Sequence, residues 1–503
     1  MDNIFRLILT SKVYDAVRET PLTYAVNISE KLNNNVMLKR EDLQDVFSFK
    51  IRGAYNKIAH LSDKEKSLGV ICASAGNHAQ GVALSSKKLG VKAIIVMPET
   101  TPSIKVEAVK RYGAEVVLKG DNYSEASDYS KKLVKETGMV YIHPFNDELV
   151  IAGQGTIAHE IIRQTSGENI YAVFVPIGGG GLISGIAAFI KNIYPNVKVI
   201  GVEPQESNAM YLSVKNNKIV KLDKVGIFAD GVAVKEVGDL TFEITKRYVD
   251  EIVLVGTDDI ASSIKDIYYD TRNIVEPAGA LAVAGIKKYV KEHKIEGRKL
   301  IAINSGANMN FDRLGFVAER AVIGEKQEAL YAVTIPEIPG AFKRFCEKVV
   351  ENKNVSEFHY RLSSRDKAYI LVGLSIDYEK ENSEMLKKMK NEGYYAMDIT
   401  PNELVKSHIK YMVGGKSELA QNELIYHFRF PEKAGALMNF LHHIKDNWNI
   451  SLFHYRRHGG EFGRVLVGFE IPPQDRKEFA ESLDKLGYDY TDETHNIACR
   501  LFL

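Results

Sequence analysis

Cysteine is nearly missing from this chain: Cys72, Cys346 and Cys499 are the only three in 503 residues. They are too few and too scattered for a disulfide framework or a zinc site. Their expected state is the reduced thiol of a cytoplasmic compartment. An excess of charge of one sign is missing too. Lys and Arg number 66 against 65 Asp and Glu, which leaves no electrostatic footprint for nucleic acid or a membrane surface. No long apolar run exists: the most apolar window, 173–190, is broken by Pro176 and a run of four glycines. It reads as strand, turn and helix, not as a membrane span. Residues 1–9 carry neither a basic leader nor a long apolar core, so no secretory signal is expected. No metal site is expected either. The hydrophobic share of 45% and charged share of 26% are those of a globular protein, and the length suits two or three domains.

What is present, from about residue 20 to 310, is an alternation of strands and helices. Apolar strands read at 69–72, 92–98, 114–118, 171–175 and 197–202, with helical periodicity at 82–89, 103–112 and 182–193. Continuous apolar strands separated by helices predict an α/β fold with a parallel sheet covered on both faces. Ligands in such sheets sit beyond the carboxyl ends of the strands.

Three turns at such ends carry chemistry. Ser74-Ala75-Gly76-Asn77-His78-Ala79-Gln80-Gly81 opens a helix after a buried strand, and free N–H groups with the helix dipole make a seat for a carboxylate. Pro176-Ile177-Gly178-Gly179-Gly180-Gly181-Leu182 lets several main-chain amides approach one phosphate; a tight packing turn is the plainer alternative. It fits neither dinucleotide nor nucleoside-triphosphate loop grammar. Ala302-Ile303-Asn304-Ser305-Gly306-Ala307-Asn308 brings a strand into a small-residue turn. Lys50, in Ser48-Phe49-Lys50, is the candidate reactive amine. Burial and neighbouring cationic groups would keep it partly neutral, as imine chemistry with pyridoxal phosphate requires. Together these features predict a pyridoxal phosphate enzyme acting on an amino acid.

Beyond residue 325 the pattern changes and an internal repeat appears. Thr334-Ile335-Pro336-Glu337-Ile338-Pro339-Gly340-Ala341 matches Arg429-Phe430-Pro431-Glu432-Lys433-Ala434-Gly435-Ala436, and Phe358-His359-Tyr360-Arg361 matches Phe453-His454-Tyr455-Arg456, at a constant offset of 95 residues. Between 329–376 and 424–471, 17 of 48 positions are identical without a gap, which marks a duplication. Each copy reads as a small βαββαβ sandwich. His359 and His454 sit within apolar-aromatic strands and read as structural. The expected boundaries are 1–324 for the catalytic domain, and 325–402 and 423–503 for the two copies.

These motifs, in this order, resemble the threonine/serine dehydratases, pyridoxal phosphate enzymes of fold type II (the tryptophan-synthase-β type). Lys39-Arg40-Glu41-Asp42, Ser48-Phe49-Lys50-Ile51-Arg52-Gly53-Ala54, the Ser74 turn, the glycine run, Glu276-Pro277-Ala278-Gly279-Ala280 and the Ser305 turn carry the resemblance. The tail is similar to the tandem ACT-like, α+β regulatory domains of the biosynthetic branch. The resemblance implies that Lys50 is the Schiff-base lysine and proton shuttle, with Phe49 flanking the cofactor ring. Gly178, Gly179, Gly180, Gly181 and Leu182 would cradle the phosphate, Asn77 would bond the ring hydroxyl, and Ser305 would meet the pyridine nitrogen. Ser74, Gly76, Asn77 and His78 would seat the substrate. Ala75 stands where serine racemases have a second serine, which favours elimination over racemisation. Implied too are L-threonine as substrate with L-serine beside it, isoleucine and valine as effectors, and a homotetramer. The competing readings are another lyase or synthase of the same fold and a non-catalytic amino-acid sensor.

Overall fold

The structure, a computed structural model, describes residues 2–166, 169–431, 435–445, 447–456, 462–497, 499 and 503. The repeat turn at Glu432, Lys433 and Ala434 lies outside them. The chain forms two compact units, Met1–Gly324 and Glu325–Leu503. Among the described residues no helix is long and apolar enough to cross a membrane.

Among the described residues the first unit holds ten strands: β1 (Leu22–Tyr24), β2 (Asn35–Arg40), β3 (Val70–Ala73), β4 (Ala93–Met97), β5 (Glu115–Leu118), β6 (Val140–Tyr141), β7 (Ile170–Pro176), β8 (Lys198–Pro204), β9 (Glu251–Val255) and β10 (Lys299–Asn304). Sequence predicts one parallel sheet; the structure divides the strands between two. One has the order β1-β2-β10-β7-β8-β9, with β1 antiparallel at its edge, and the other is parallel with the order β5-β4-β3-β6. The helix Glu148–Thr165 connects β6 to β7 along the chain and is buried over most of its length. It packs against the helices Lys50–Ala59 and Gly181–Ile193 at backbone distance: a Cβ on Gly153 would lie 2.5 Å from the Arg52 carbonyl oxygen, and one on Gly185 2.4 Å from that of Ile151. β7 has β10 and β8 on its two sides and β6 pairs with β3, so this helix carries the chain from the edge of one sheet into the interior of the other. Periodicity identifies strands without saying which will be neighbours.

The carboxyl ends of β3, β7 and β10 lead directly into the three turns singled out above. These three strands bury their side chains almost completely, β3 at every position and β7 and β10 at all but one. The turns are therefore anchored on rigid sheet.

In the second unit the first copy contains β11 (Glu328–Pro336), β12 (Val355–Arg361), β13 (Lys367–Ser375) and β14 (Tyr395–Asp398), and the second β15 (Glu423–Pro431), β16 (Asn449–Arg456), β17 (Phe462–Glu470) and β18 (Tyr490–Asp492). Helices follow the first and third strand of each copy, as βαββαβ requires. The copies are not separate sandwiches. They share one eight-stranded sheet, β14-β11-β13-β12-β16-β17-β15-β18, joined by antiparallel pairing of β12 with β16. His359 stands opposite His454 at that seam, ring centroids 4.7 Å apart and edge to face. His359 lies between the Met412 carbonyl (3.1 Å) and the Glu357 carboxylate (3.2 Å). The core is strongly aromatic across the seam: Phe342, Phe358 and Phe453 lie within 4.7–5.6 Å of one another. Such pairs add roughly 0.5–1.5 kcal/mol each beyond area burial. The segment between the copies packs Val405 and Ile409 with Leu330 and Leu371.

Candidate active site

Lys50 opens the helix Lys50–Ala59 after a turn in which Phe47 adopts φ 54°. Its Nζ lies 3.3 Å from the Pro144 carbonyl oxygen and 5.2 Å from the centre of the Phe49 ring. Burial pushes the amine down to about 8, against the opposing pull of the Glu276 carboxylate. The lowering therefore comes from desolvation alone. The neighbouring cations that sequence offered as helpers are engaged elsewhere. Arg52 pairs with Glu41 (2.7 Å) and Glu160 (2.6 Å), Lys39 with Glu160 (2.6 Å), and Arg40 with Asp42 (2.7 Å). The side chains of Lys39, Glu41, Arg52 and Glu160 are wholly buried. Removing one partner of such a pair costs about 3–5 kcal/mol, so this lattice fixes the start of the lysine helix.

The glycine turn follows β7 and feeds the helix Gly181–Ile193. Behind it, protein atoms crowd every position. A Cβ on Gly179 would lie 2.2 Å from the Phe145 ring, one on Gly178 3.0 Å from Val232 Cα, and Gly180 has φ 94°. The back of the turn thus meets the packing alternative. In front, among the described residues, the main-chain N–H groups of Gly178, Gly179, Gly180, Gly181 and Leu182 donate to no protein acceptor. The Thr241 hydroxyl donates to the Gly179 carbonyl at 2.7 Å and holds the turn from below.

In the Ser74 turn, the Ser74 hydroxyl accepts the Gly76 N–H at 3.3 Å, and the helix Asn77–Leu89 begins at once. The Asn77 amide donates to Glu276 Oε1 at 2.6 Å and accepts from the Asn308 amide at 2.7 Å. His78 is placed differently from its neighbours. Its buried imidazole donates from Nε2 to the Ile142 carbonyl at 2.9 Å, and burial, then the Lys50 charge, push it down to about 3. The ring is thus engaged away from the turn, and the His78 group at the start of the helix is its first-turn N–H. Ser305 is buried, donates to the Ala278 carbonyl at 3.2 Å, and receives the Phe49 N–H on its own carbonyl at 3.2 Å. That last bond ties the lysine segment to the Ser305 turn. Beside it the fully buried Asn304 amide has no hydrogen-bond partner among the described residues.

Two features escaped the sequence. Glu276 is buried, and its carboxyl is pushed up to about 7, first by desolvation and then by the charge of Asp230. It marks a proton-holding group next to Asn77; its only trace in sequence was the motif that contains it. The segment Asp230–Val232 forms a wall, with Gly231 against Ala278 and Val232 against Gly178. Asp230 pairs outward with Lys105 (3.0 Å) and Arg313 (3.5 Å).

Residues 13–306 match the family model of pyridoxal-phosphate dependent enzymes, and 319–409 and 415–503 that of the C-terminal regulatory domain of threonine dehydratase. A biosynthetic L-threonine dehydratase of Burkholderia multivorans is 52% identical over 499 residues, covering 99% of this chain and 98% of that protein. The mitochondrial threonine dehydratase of Saccharomyces cerevisiae is 49% identical over 512 residues, covering 99% and 88%. Among solved structures, the processed form of threonine deaminase isoform 2 from Solanum lycopersicum superposes with a TM-score of 0.63 at 50% identity, covering 64% of this chain and 88% of that one. Maize serine racemase gives 0.59 at 34% identity, covering 64% and 97%.

Proposed function

The chain belongs to the threonine dehydratases, pyridoxal-phosphate-dependent lyases with a C-terminal regulatory domain, and on that premise we propose how its own residues carry the reaction. It deaminates L-threonine by α,β-elimination to 2-oxobutanoate and ammonia, the committed step of isoleucine biosynthesis, under allosteric control. The residues fit the cofactor: a run of acceptor-free amides at a helix N-terminus suits its phosphate. A buried amine near neutrality suits its aldehyde, and a hydroxyl at Ser305 suits a pyridine nitrogen left uncharged. When bound, pyridoxal phosphate supplies a conjugated system that spreads negative charge from the substrate Cα.

Lys50 holds the cofactor between turnovers and takes the Cα proton at Nζ. Phe49 would flank the cofactor ring, Asn77 would bond its hydroxyl, and Gly178, Gly179, Gly180, Gly181 and Leu182 would hold its phosphate. Ser74, Gly76 and the first-turn amides of Asn77 and His78 orient the substrate carboxylate. Ala75 has no exchangeable proton, so the opposite face of the substrate stays inert. The observation that carries this reading is the Lys50 amine, lowered to about 8 and set within 3.3 Å of the Pro144 carbonyl beside three strand-end turns. Assaying 2-oxoacid release from threonine, serine and O-acetylserine tests it; release from O-acetylserine alone would assign the chain to another lyase class.

The regulatory unit supports effector control by its shape. Two clefts are lined by residues of both copies. Each combines the glycine turn of one copy with the segment before the second strand of the other: Gly340, Phe342 and Tyr360 with Trp448 and Asn449, and Gly435, Leu437 and Tyr455 with Lys353 and Asn354. Apolar walls with a few polar groups suit branched aliphatic amino acids. Isoleucine inhibits and valine opposes it, in a cytoplasmic homotetramer. Inhibition that persists after removal of residues 326–503 would rule out this unit as the sensor.

A further inference from the structure

Segment 142–146 touches His78, Lys50 and the glycine turn. The Ile142 carbonyl receives the His78 ring at 2.9 Å, and the Pro144 carbonyl faces Lys50 Nζ at 3.3 Å. Phe145 fills the space behind Gly179 and Gly181. The Asn146 amide oxygen accepts the Leu240 N–H at 3.1 Å and its nitrogen donates to Asp239 at 2.6 Å, two residues from the Thr241 that supports the glycine turn. One side chain shapes this segment. His143 Nδ1 lies 2.9 Å from the Asn146 main-chain nitrogen and 3.3 Å from that of Phe145. Both are donors, so Nδ1 presents its lone pair and the ring proton sits on Nε2. Pro144 has no N–H, so these two amides are the donors that the turn must satisfy. The ring packs edge-on against Phe145 at 4.7 Å. Burial pushes His143 down to about 4, with the Lys50 charge adding to it and Asp147 opposing, so the imidazole is uncharged at neutral pH.

We infer that His143 is a positioning residue: as the neutral Nε2–H tautomer it folds segment 142–146 into the turn that sets the Pro144 carbonyl against Lys50 and Phe145 against the phosphate-binding glycines. The inference rests on Lys50 being the cofactor lysine. That premise fails on its own if Lys50→Ala retains turnover, whatever His143 does.

The test uses the full-length holoenzyme with two variants. His143→Asn keeps an acceptor within reach of both amides; His143→Leu keeps bulk and loses it. The expected result is a kcat lowered about tenfold or more in the Leu variant, as for other misplacements near a reacting amine, with weaker cofactor binding and a smaller change in KM. The Asn variant recovers most of both. Equal impairment of the two variants, or a Leu variant equal to wild type, overturns the inference. Should the Leu variant not fold, the ¹⁵N spectrum of histidine-labelled wild type decides, with the His143 signals assigned from their loss in the Asn variant. An unprotonated Nδ1 is expected, and a protonated Nδ1 overturns the proposal.

Discussion

The two units of this chain bury different things. In the first unit the interior near the site is polar and charged: Lys39, Glu41, Arg52, Glu160, Glu276 and Ser305 are all buried, each with a defined partner. In the second unit the interior is built of rings, with Phe342, Phe358, Phe428, Phe440 and Phe453 among its buried residues. Charge buried with its partners holds atoms at fixed distances, because each group removed leaves another unsatisfied. Aromatic packing is less directional, and the second unit places its two clefts where packing of one copy against the other defines their walls. Chemistry needs the first kind of interior. A sensor needs a seam whose two arrangements a ligand can tell apart.

Substitutions in each unit break this contrast in measurable ways. Lys50→Ala lowers turnover by about a thousandfold or more, the scale of a lost proton-transfer group, while isoleucine still binds the second unit by calorimetry. Phe342→Ala costs about 3–5 kcal/mol, as for a buried ring cut to a methyl. It lowers the melting temperature of the second unit and inhibition by isoleucine, with kcat in the absence of effector preserved. Gly179→Ala drives a methyl into Phe145, an overpacking worth about 1–3 kcal/mol, and is read as weaker cofactor binding. Glu276→Gln acts through pH. The folded carboxyl sits at about 7 against an ordinary 4.5, so the folded state binds the extra proton and stability falls as pH rises from 4.5 to 7. The Gln variant removes that slope in a melting-temperature series and removes any limb near pH 7 from the kcat/KM profile. Lys105→Met has the smallest effect, a rise in KM of less than about fivefold, because its pair with Asp230 is substantially exposed and such pairs contribute roughly 0.2–1 kcal/mol.

Local signals were legible in the amino-acid order. Strand ends and the three turns depend on residues within a few positions of one another, and the repeat shows itself when one stretch is compared with another 95 residues on. What escaped depends on distance along the chain. Glu276 meets Asn77 across 199 residues, and Arg52 meets Glu160 across 108, and nothing near either member announces the other. For the same reason Lys39, Arg40 and Arg52 looked like cations at the disposal of Lys50 until their carboxylates were located. The division into two sheets was hidden because periodicity marks a strand without saying which strands become its neighbours. The joining of the two copies through β12 and β16 was hidden because edge strands carry no mark of their partner.

One measurement goes straight to the central claim that the Lys50 amine holds the cofactor. Borohydride reduction of the holoenzyme followed by proteolysis and mass spectrometry locates the lysine to which pyridoxyl phosphate becomes fixed. The label is predicted on the peptide containing Ser48-Phe49-Lys50, at Lys50 alone. A label on any other lysine, with Lys50 unmodified, would contradict the assignment of the site.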